Sequence, residues 1–346
     1  MPVRVCAEYR VPLRFEQVLP RFACLSLLAA LGCVSATPSV VPPLKPAGIA
    51  ADIDYLASRS LAGRGAGTPG NDSAAVFLAR RHQALGLPGA FQAWCATGAC
   101  GVSYFQYFIG DEVEGHNVGS FVRGSDPDLY REFVVVGAHY DHLGTSTRFA
   151  MDPDLIASVR LGADDNASGT AAVLELARRL AANPPPRSVL LVHFDAEEWG
   201  LVGSRAFVSR PPVPASSIVF MLNLDMVGRL HGRDVLIDGT AADPPTRALA
   251  DSVAKALGVR SARSSVSGGR SDHAAFIPIS VPALSLTSGF HADYHRVTDV
   301  PARIDVVGLT RIVDVAEGIV RAAATRTWPP RQTSSITTPP SSIATK

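Results

Sequence analysis

The sequence predicts an α/β protein: a three-layer sandwich with a central, mostly parallel, twisted sheet covered by helices on both faces. Three observations carry this. Apolar runs of strand length without polar alternation recur at 133–138, 188–194 and 218–224, the mark of strands buried on both faces. Segments with apolar residues at helical spacing alternate with them. The chain has 346 residues, 47% of them hydrophobic, enough to bury a large core.

The first residues read as a leader rather than as fold. Arg4, Arg10, Arg14 and Arg21 precede the apolar run Phe22–Val34. That run is too short to span a bilayer and suits the apolar region of a signal peptide. "VSA" ending at Ala36 offers a small-residue cleavage site. "ALGC" ending at Cys33 is a relaxed lipidation box, with Ala30 where Leu is usual. A start placed upstream of a shorter signal peptide would leave export intact. Residues 1–36 are therefore expected to direct export, to the periplasm, to a lipid anchor at Cys33 or to secretion, with no membrane span. Residues 37–48 are a Pro-rich linker, 49–328 one domain, and 329–346 a Pro/Ser/Thr tail that cannot bury much and is expected to be disordered.

Within the domain, Asn71 and Asp72 can cap a helix running to Gly86. "FVVVGA" (133–138) is a buried strand. "ASGTAAVLELARRLAAN" (167–183) places Val173, Leu176, Ala177 and Leu180 on one helical face. "SVLLVHF" (188–194) and "IVFMLNL" (218–224) are buried strands, "PTRALADSVAKALG" is a helix stopping at Gly258, and "VPALSL" (281–286) is a further strand. The helix over 306–324 presents Leu309, Ile312, Val313, Ala316 and Ile319 on one side. Of five cysteines, only Cys95 and Cys100 lie outside the leader. In an oxidising compartment a local disulfide between them is expected, with a metal site the weaker alternative.

Lys+Arg number 32 against Asp+Glu 31, a net charge of +1. No basic excess points to nucleic acid, so whatever binds is recognised locally. In such sheets the site lies just beyond the carboxyl ends of the strands, and polar residues cluster there. His139, Asp141 and His142 follow the first strand; Asp164, Asp165 and Asn166 precede the next helix. Glu197 and Glu198 follow the second strand and Asp225 the third. His291, Asp293, Tyr294 and His295 follow the last. Singly, each has a bland reading: Asp164 and Asp165 as helix caps, Asp225 as a capping acid, the glutamates as a solvated turn. His193 reads as a satisfied core histidine, and His82, His116 and His231 as surface residues. Together, every strand end supplies a metal-ligand type. Asp164, Glu198 and Asp225 carry three negative charges, which two Zn²⁺ and a bridging hydroxide would neutralise with His139 and His295 neutral. Without metal such converging carboxylates would repel. Mixed His/carboxylate sets suit zinc, and paired metals about 3.5–4 Å apart serve hydrolysis.

The ordered motifs "HYD", "GADDNASG", "AEEWGLVGS", "NLDMVG" and "YHRVTD" resemble the co-catalytic zinc aminopeptidases, the group of bacterial leucyl aminopeptidase and aminopeptidase S. The resemblance runs from "LAGRGAGTPGN" (61–71) to "HRVTDVPARID" (295–305), nearly the whole domain. It implies a zinc exopeptidase-like fold, two Zn²⁺ per chain and removal of N-terminal residues from peptides or small proteins. His139 and Asp225 would bind the first zinc, Glu198 and His295 the second, and Asp164 would bridge them. Asp141 would brace His139. Glu197 would be the general base acting on the bridging water, and Tyr294 would stabilise the developing oxyanion. Rivals are a single-zinc glutaminyl cyclase, a carboxypeptidase of larger relatives, and a binding module with a dead site on the same fold. "SDHAAF" (271–276) also matches the group, with no catalytic role assigned to His273. The preferred N-terminal residue and the oligomeric state are not legible.

Overall fold

The structure is a computed structural model that describes residues 48–95, 98–239, 244–263 and 271–328. The leader, the lipidation site, all but the last residue of the linker, the C-terminal tail and the pairing of Cys95 with Cys100 lie outside the residues and side chains described.

Four apolar segments build the centre: β5 (Phe133–His139), β6 (Ser188–Phe194), β7 (Ile218–Leu224) and β10 (Ala283–Thr287). They lie side by side as β6-β5-β7-β10, all parallel. β3 (Phe105–Ile109) and β4 (Glu114–Val122) extend one edge antiparallel. β8 (Val235–Asp238) joins the other edge antiparallel to β10, and β9 (Ser261–Arg263) follows parallel to β8. The eight-stranded sheet is thus mixed, parallel at its centre and antiparallel where it meets both flanks. β1 (Phe91–Cys95) and β2 (Gly98–Ser103) form a separate hairpin. β3, β8 and β9 are short, and β4 carries Glu114, His116, Asn117 and Ser120 along its length, which is why no continuous apolar run announces them.

Alternation along the central strands divides the interior into two cores. Val134, Val136, Val189 and Leu191 face one side, with α1 (Ile49–Leu56), α2 (Pro69–Ala84), α3 (Gly169–Ala182), α5 (Pro244–Ala256) and α6 (Val306–Thr325). Val135, Leu190, Val192 and Phe194 face the other, against α4 (Val202–Ser209) through Phe207 and against Phe276. Every one of these side chains is at most 1% exposed, so strands covered on both faces need no polar alternation.

Two local expectations are corrected. The cap of α2 is Thr68, whose hydroxyl accepts from the Asn71 amide, with Pro69 opening the helix. Asn71 is instead buried and donates to the Asp195 carboxylate at 2.9 Å. His82, expected on the surface, is fully buried: its Nε2 meets His193 Nε2 at 2.9 Å and its Nδ1 meets the Ser120 hydroxyl at 2.8 Å. It lies on the inward face of a helix whose apolar pattern is weak, so periodicity did not mark it.

Among the described residues no helix is long and apolar enough to cross a membrane.

Candidate metal centre

Parallel central strands bring their carboxyl ends to one edge. Gly137 of β5 pairs with Asn223 of β7; two residues further along each strand stand His139 and Asp225. The chain then turns sharply where it leaves the strands. Ala196, Met226 and His295 all have positive φ, at 54° each, a conformation non-glycine residues adopt rarely and mostly where function demands it. Each is, or directly adjoins, a residue of the site.

Two groups of side chains meet there. His139, Asp165 and Asp225 form one; His142, Asp165 and Glu198 form the other; within each, the donor atoms lie within 4.8 Å of one another. Asp165 belongs to both. Its Oδ1 lies 3.3 Å from His139 Nε2 and its Oδ2 lies 3.0 Å from His295 Nε2. His139 Nε2 is also 3.5 Å from Asp225, and His295 Nε2 is 3.2 Å from Glu198 Oε2. The acid between the two histidines is therefore Asp165, and the bridging position expected of Asp164 is corrected. Asp164 Oδ1 accepts the Gly228 amide, and its Oδ2 lies 3.1 Å from His291 Nε2. The turn "GADDNASG" sends adjacent side chains opposite ways, and Asp299 decides which goes where. Its Oδ2 accepts the backbone N–H of Asp164 at 2.8 Å and of Asp165 at 3.1 Å, while Oδ1 accepts from Arg229 at 2.9 Å. Gly162, at φ 59°, starts the turn where a Cβ would strike the Asp165 carbonyl and the His142 ring.

Asp141 joins the first strand's loop to the second. Its Oδ1 lies 3.5 Å from His139 Nδ1 and accepts the Glu197 amide at 3.0 Å; its Oδ2 accepts the Glu198 amide at 3.3 Å. One carboxylate thus orients the histidine ring and both glutamates. Asp195, the third acid of that loop, points away: it accepts from Asn71, from the His116 amide and from the Ala196 amide. Burial and the nearby Asp141 push it up to about 7. His295 is aimed by its Nδ1, 2.8 Å from the Phe149 carbonyl. Tyr294 stacks on the His295 ring, centroids 3.8 Å apart, and meets Phe290 edge-on.

His142, which follows the first strand beside Asp141, has no role in the resemblance. Its Nδ1 lies 2.9 Å from Glu198 Oε1, and its buried Nε2 has no hydrogen-bond partner among the described residues. Spacing alone could not separate it from His139, since both flank Asp141.

The charges fit a cation. Burial alone would lower His295, yet the Asp165 and Glu198 carboxylates outweigh it and hold it at about 11. Burial likewise opposes protonation of His139, and Glu197, Asp141, Asp165 and Asp225 overcome it, pushing it well above the usual range. Protonated histidines are standing where positive charge is needed. Asp225 Oδ1 is buried and makes no hydrogen bond among the described residues. Two imidazoles and three carboxylates with shared Asp165 suit zinc. Glu197 behaves differently: burial, reinforced by Glu198, Asp272 and Asp225 and opposed by His139, raises its carboxyl well above the ordinary range. The site opens into a cavity of about 620 Å³, lined by Glu197, Asp225, Tyr294 and His295 among others.

Comparisons with known proteins give the family and the fold. The chain is 28% identical over 275 residues to leupeptin-inactivating enzyme 1 of Streptomyces exfoliatus, covering 78% of this chain and 54% of that one. Other matched relatives are named aminopeptidase or probable zinc metalloprotease. The chain spans about half the length, or less, of these curated relatives. Among solved structures, a Zn-dependent exopeptidase from Parabacteroides distasonis superposes with a TM-score of 0.64 at 20% identity, covering 81% of this chain and 99% of that one. A glutaminyl cyclase from Bacteroides thetaiotaomicron does so with 0.64 at 19%, covering 80% and 98%. Both likenesses establish the α/β fold. The model of peptidase family M28 matches residues 117–320, more than half of the chain and every ligand-bearing strand end from His139 to His295, and the chain belongs to that family.

Proposed function

We propose that this chain is an exported zinc aminopeptidase that removes N-terminal residues from peptides. The observation that carries the reading is Asp165, set between two histidines that each carry a further carboxylate neighbour, with Glu197 beside them at the cavity wall. His139, Asp165 and Asp225 would hold one zinc; Asp165, Glu198 and His295 the other. When bound, zinc supplies Lewis acidity, polarising a carbonyl and lowering the pKa of water.

The chain's own groups do the rest. Glu197, whose buried carboxyl favours holding a proton, takes one from the attacking water and returns it to the leaving amine. Tyr294, steadied between His295 and Phe290 on the cavity wall, donates its hydroxyl hydrogen to the oxygen on which charge develops. Asp141 holds the Glu197 and Glu198 amides, so base and ligand stay in register. The acidic rim retains a free α-amino group. Residues 1–36 act as the export leader.

The test uses zinc-loaded full chain and matched peptides with free and N-acetylated termini. Free peptides should be cleaved from the N-terminus, acetylated ones poorly, and elemental analysis should show close to two zinc per chain. Equal cleavage of capped peptides would indicate an endopeptidase. One zinc with no hydrolysis would favour the cyclase chemistry. Intact mass of protein from its native host should show a start near Cys33 or Thr37; a full-length N-terminus would refute export.

A further inference from the structure

The cavity has a second polar end, away from the metal ligands. β8 and β10 pair antiparallel, with Asp238 opposite Ser285 and Leu236 opposite Thr287. Residues two apart on a strand share a face, and all four line the cavity. β7 continues the row: Ser285 pairs with Asn223, whose amide donates to Ser285 Oγ at 3.2 Å and to Ser271 Oγ at 2.8 Å. Asp238 thus lies two strands across and about two residues back from Asp225, roughly 12 Å between Cα atoms by ordinary sheet spacings.

Two further observations point to a ligand at that end. The Asp238 side chain is 17% exposed, and among the described residues the only cationic or imidazole nitrogen within 4.0 Å of it is His273 Nε2; its other oxygen accepts the neighbouring Gly239 amide. His273, 2% exposed, also lines the cavity, and neither of its ring nitrogens has a hydrogen-bond partner among the described residues. Burial lowers its pKa, which disfavours a charge on the imidazole, so among the described residues no cation pairs with Asp238 at that distance. Arg296, which also lines the cavity, follows His295 on the loop at the metal end. Between the two ends the walls include Met226, Leu236 and Phe290.

We propose that Asp238 selects substrates whose N-terminal residue has a cationic side chain, lysine or arginine. This rests on the aminopeptidase reading of the metal end. With the α-amino group and scissile bond held there, a long side chain lays its methylene stem along Met226, Leu236 and Phe290 and brings its charged head to Asp238. Ser285 and the free His273 nitrogen supply the remaining hydrogen-bond acceptors. Leucine would fill the walls but leave the Asp238 carboxylate desolvated and unpaired, which disfavours it.

The experiment compares lysine, arginine, norleucine and leucine p-nitroanilides on zinc-loaded full chain; norleucine has a stem like lysine's without the charge. Wild type should favour lysine over norleucine in kcat/KM by on the order of tenfold or more. Asp238→Asn should collapse that ratio by a similar factor, mostly through KM, and Asp238→Glu should retain it. Thermal shifts with L-lysinamide and L-norleucinamide read the same pocket without turnover: the lysinamide excess should vanish in Asp238→Asn. If that variant melts far below wild type, Asp238→Ser takes its place. A wild-type preference for norleucine or leucine, or an equal fall on all substrates in the variant, overturns the assignment while leaving the aminopeptidase reading standing. Protection by lysinamide with no hydrolysis of any p-nitroanilide overturns the aminopeptidase reading instead.

Discussion

Adjacent residues of like type do different work in this protein, and which does which depends on a few tenths of a nanometre. Asp164 and Asp165 are one example: the first is spent on the Gly228 amide and His291, the second faces His139 and His295. Asp165→Asn should abolish binding of the zinc pair and with it activity. Asp164→Asn should keep close to two zinc per chain while lowering thermal stability, because it weakens a buried contact to the 228 and 291 loops. Elemental analysis of both variants decides, and loss of zinc in Asp164→Asn alone would restore the expectation that it bridges. Glu197 and Glu198 are the other example. Glu197→Gln should keep its zinc and lose on the order of 10²–10⁴ in kcat, as removal of a general base does. Glu198→Gln should lose one zinc and regain part of its rate in excess metal. Reversed outcomes would exchange the two roles.

At the scale of elements, the loops of the site are held less by their own turns than by carboxylates from elsewhere. Asp299, on the loop before α6, organises the turn that leads into α3 by accepting two consecutive amides. Asp299→Asn replaces an oxygen with a donor at that turn, while Arg229 keeps Asp293 as a partner at 3.0 Å. Zinc affinity should fall by roughly 10–100-fold, the usual cost of disturbing a residue that orients a ligand, with little change in far-UV circular dichroism. Competition with a chromogenic chelator measures it; unchanged affinity would mean that the turn holds its shape without Asp299. Asp141 plays the same part for the loop after β6, and its contact with His139 was anticipated from the motif whereas its grip on the two glutamate amides was not.

At the scale of the whole molecule, the buried His82–His193 pair has consequences for stability. Burial holds His82 at about 3 and His193 well below its usual range, the latter helped by His82. An unfolded chain protonates both near pH 6.5. The unfolded state therefore binds more protons below that pH, so the stability from keeping the pair neutral is complete above about pH 6.5 and drains as pH falls toward 3. Each group steepens the loss by up to about 1.4 kcal/mol per pH unit in that window. Urea midpoints at pH 7, 6, 5 and 4 should fall more steeply for wild type than for the double variant His82→Gln/His193→Gln. Parallel slopes would show that the pair is not the source of acid sensitivity.

What the sequence determined by itself was the set of central elements and the supply of ligand types. Strands β6 and β7 are legible to the residue, because burial on both faces demands nearly continuous apolar runs of strand length, ended by polar residues. The helix over 306–324 is equally plain: Leu309, Ile312, Val313, Ala316 and Ile319 are all fully buried. That His139, Glu197, Glu198, Asp225 and His295 end strands or follow them was visible too, since polar residues abutting such runs must lie at the sheet's edge. Only the tertiary structure decided between Asp164 and Asp165, set His142 beside Glu198, buried His82 against His193 and brought Asp238 into the cavity. The reason is common to all four. Local pattern reports how often a side chain faces inward along its own element, but each of these residues takes its role from a partner more than thirty positions away, on a neighbouring strand or an incoming loop. Which direction such a side chain points is settled by the backbone amides and rings that come to meet it.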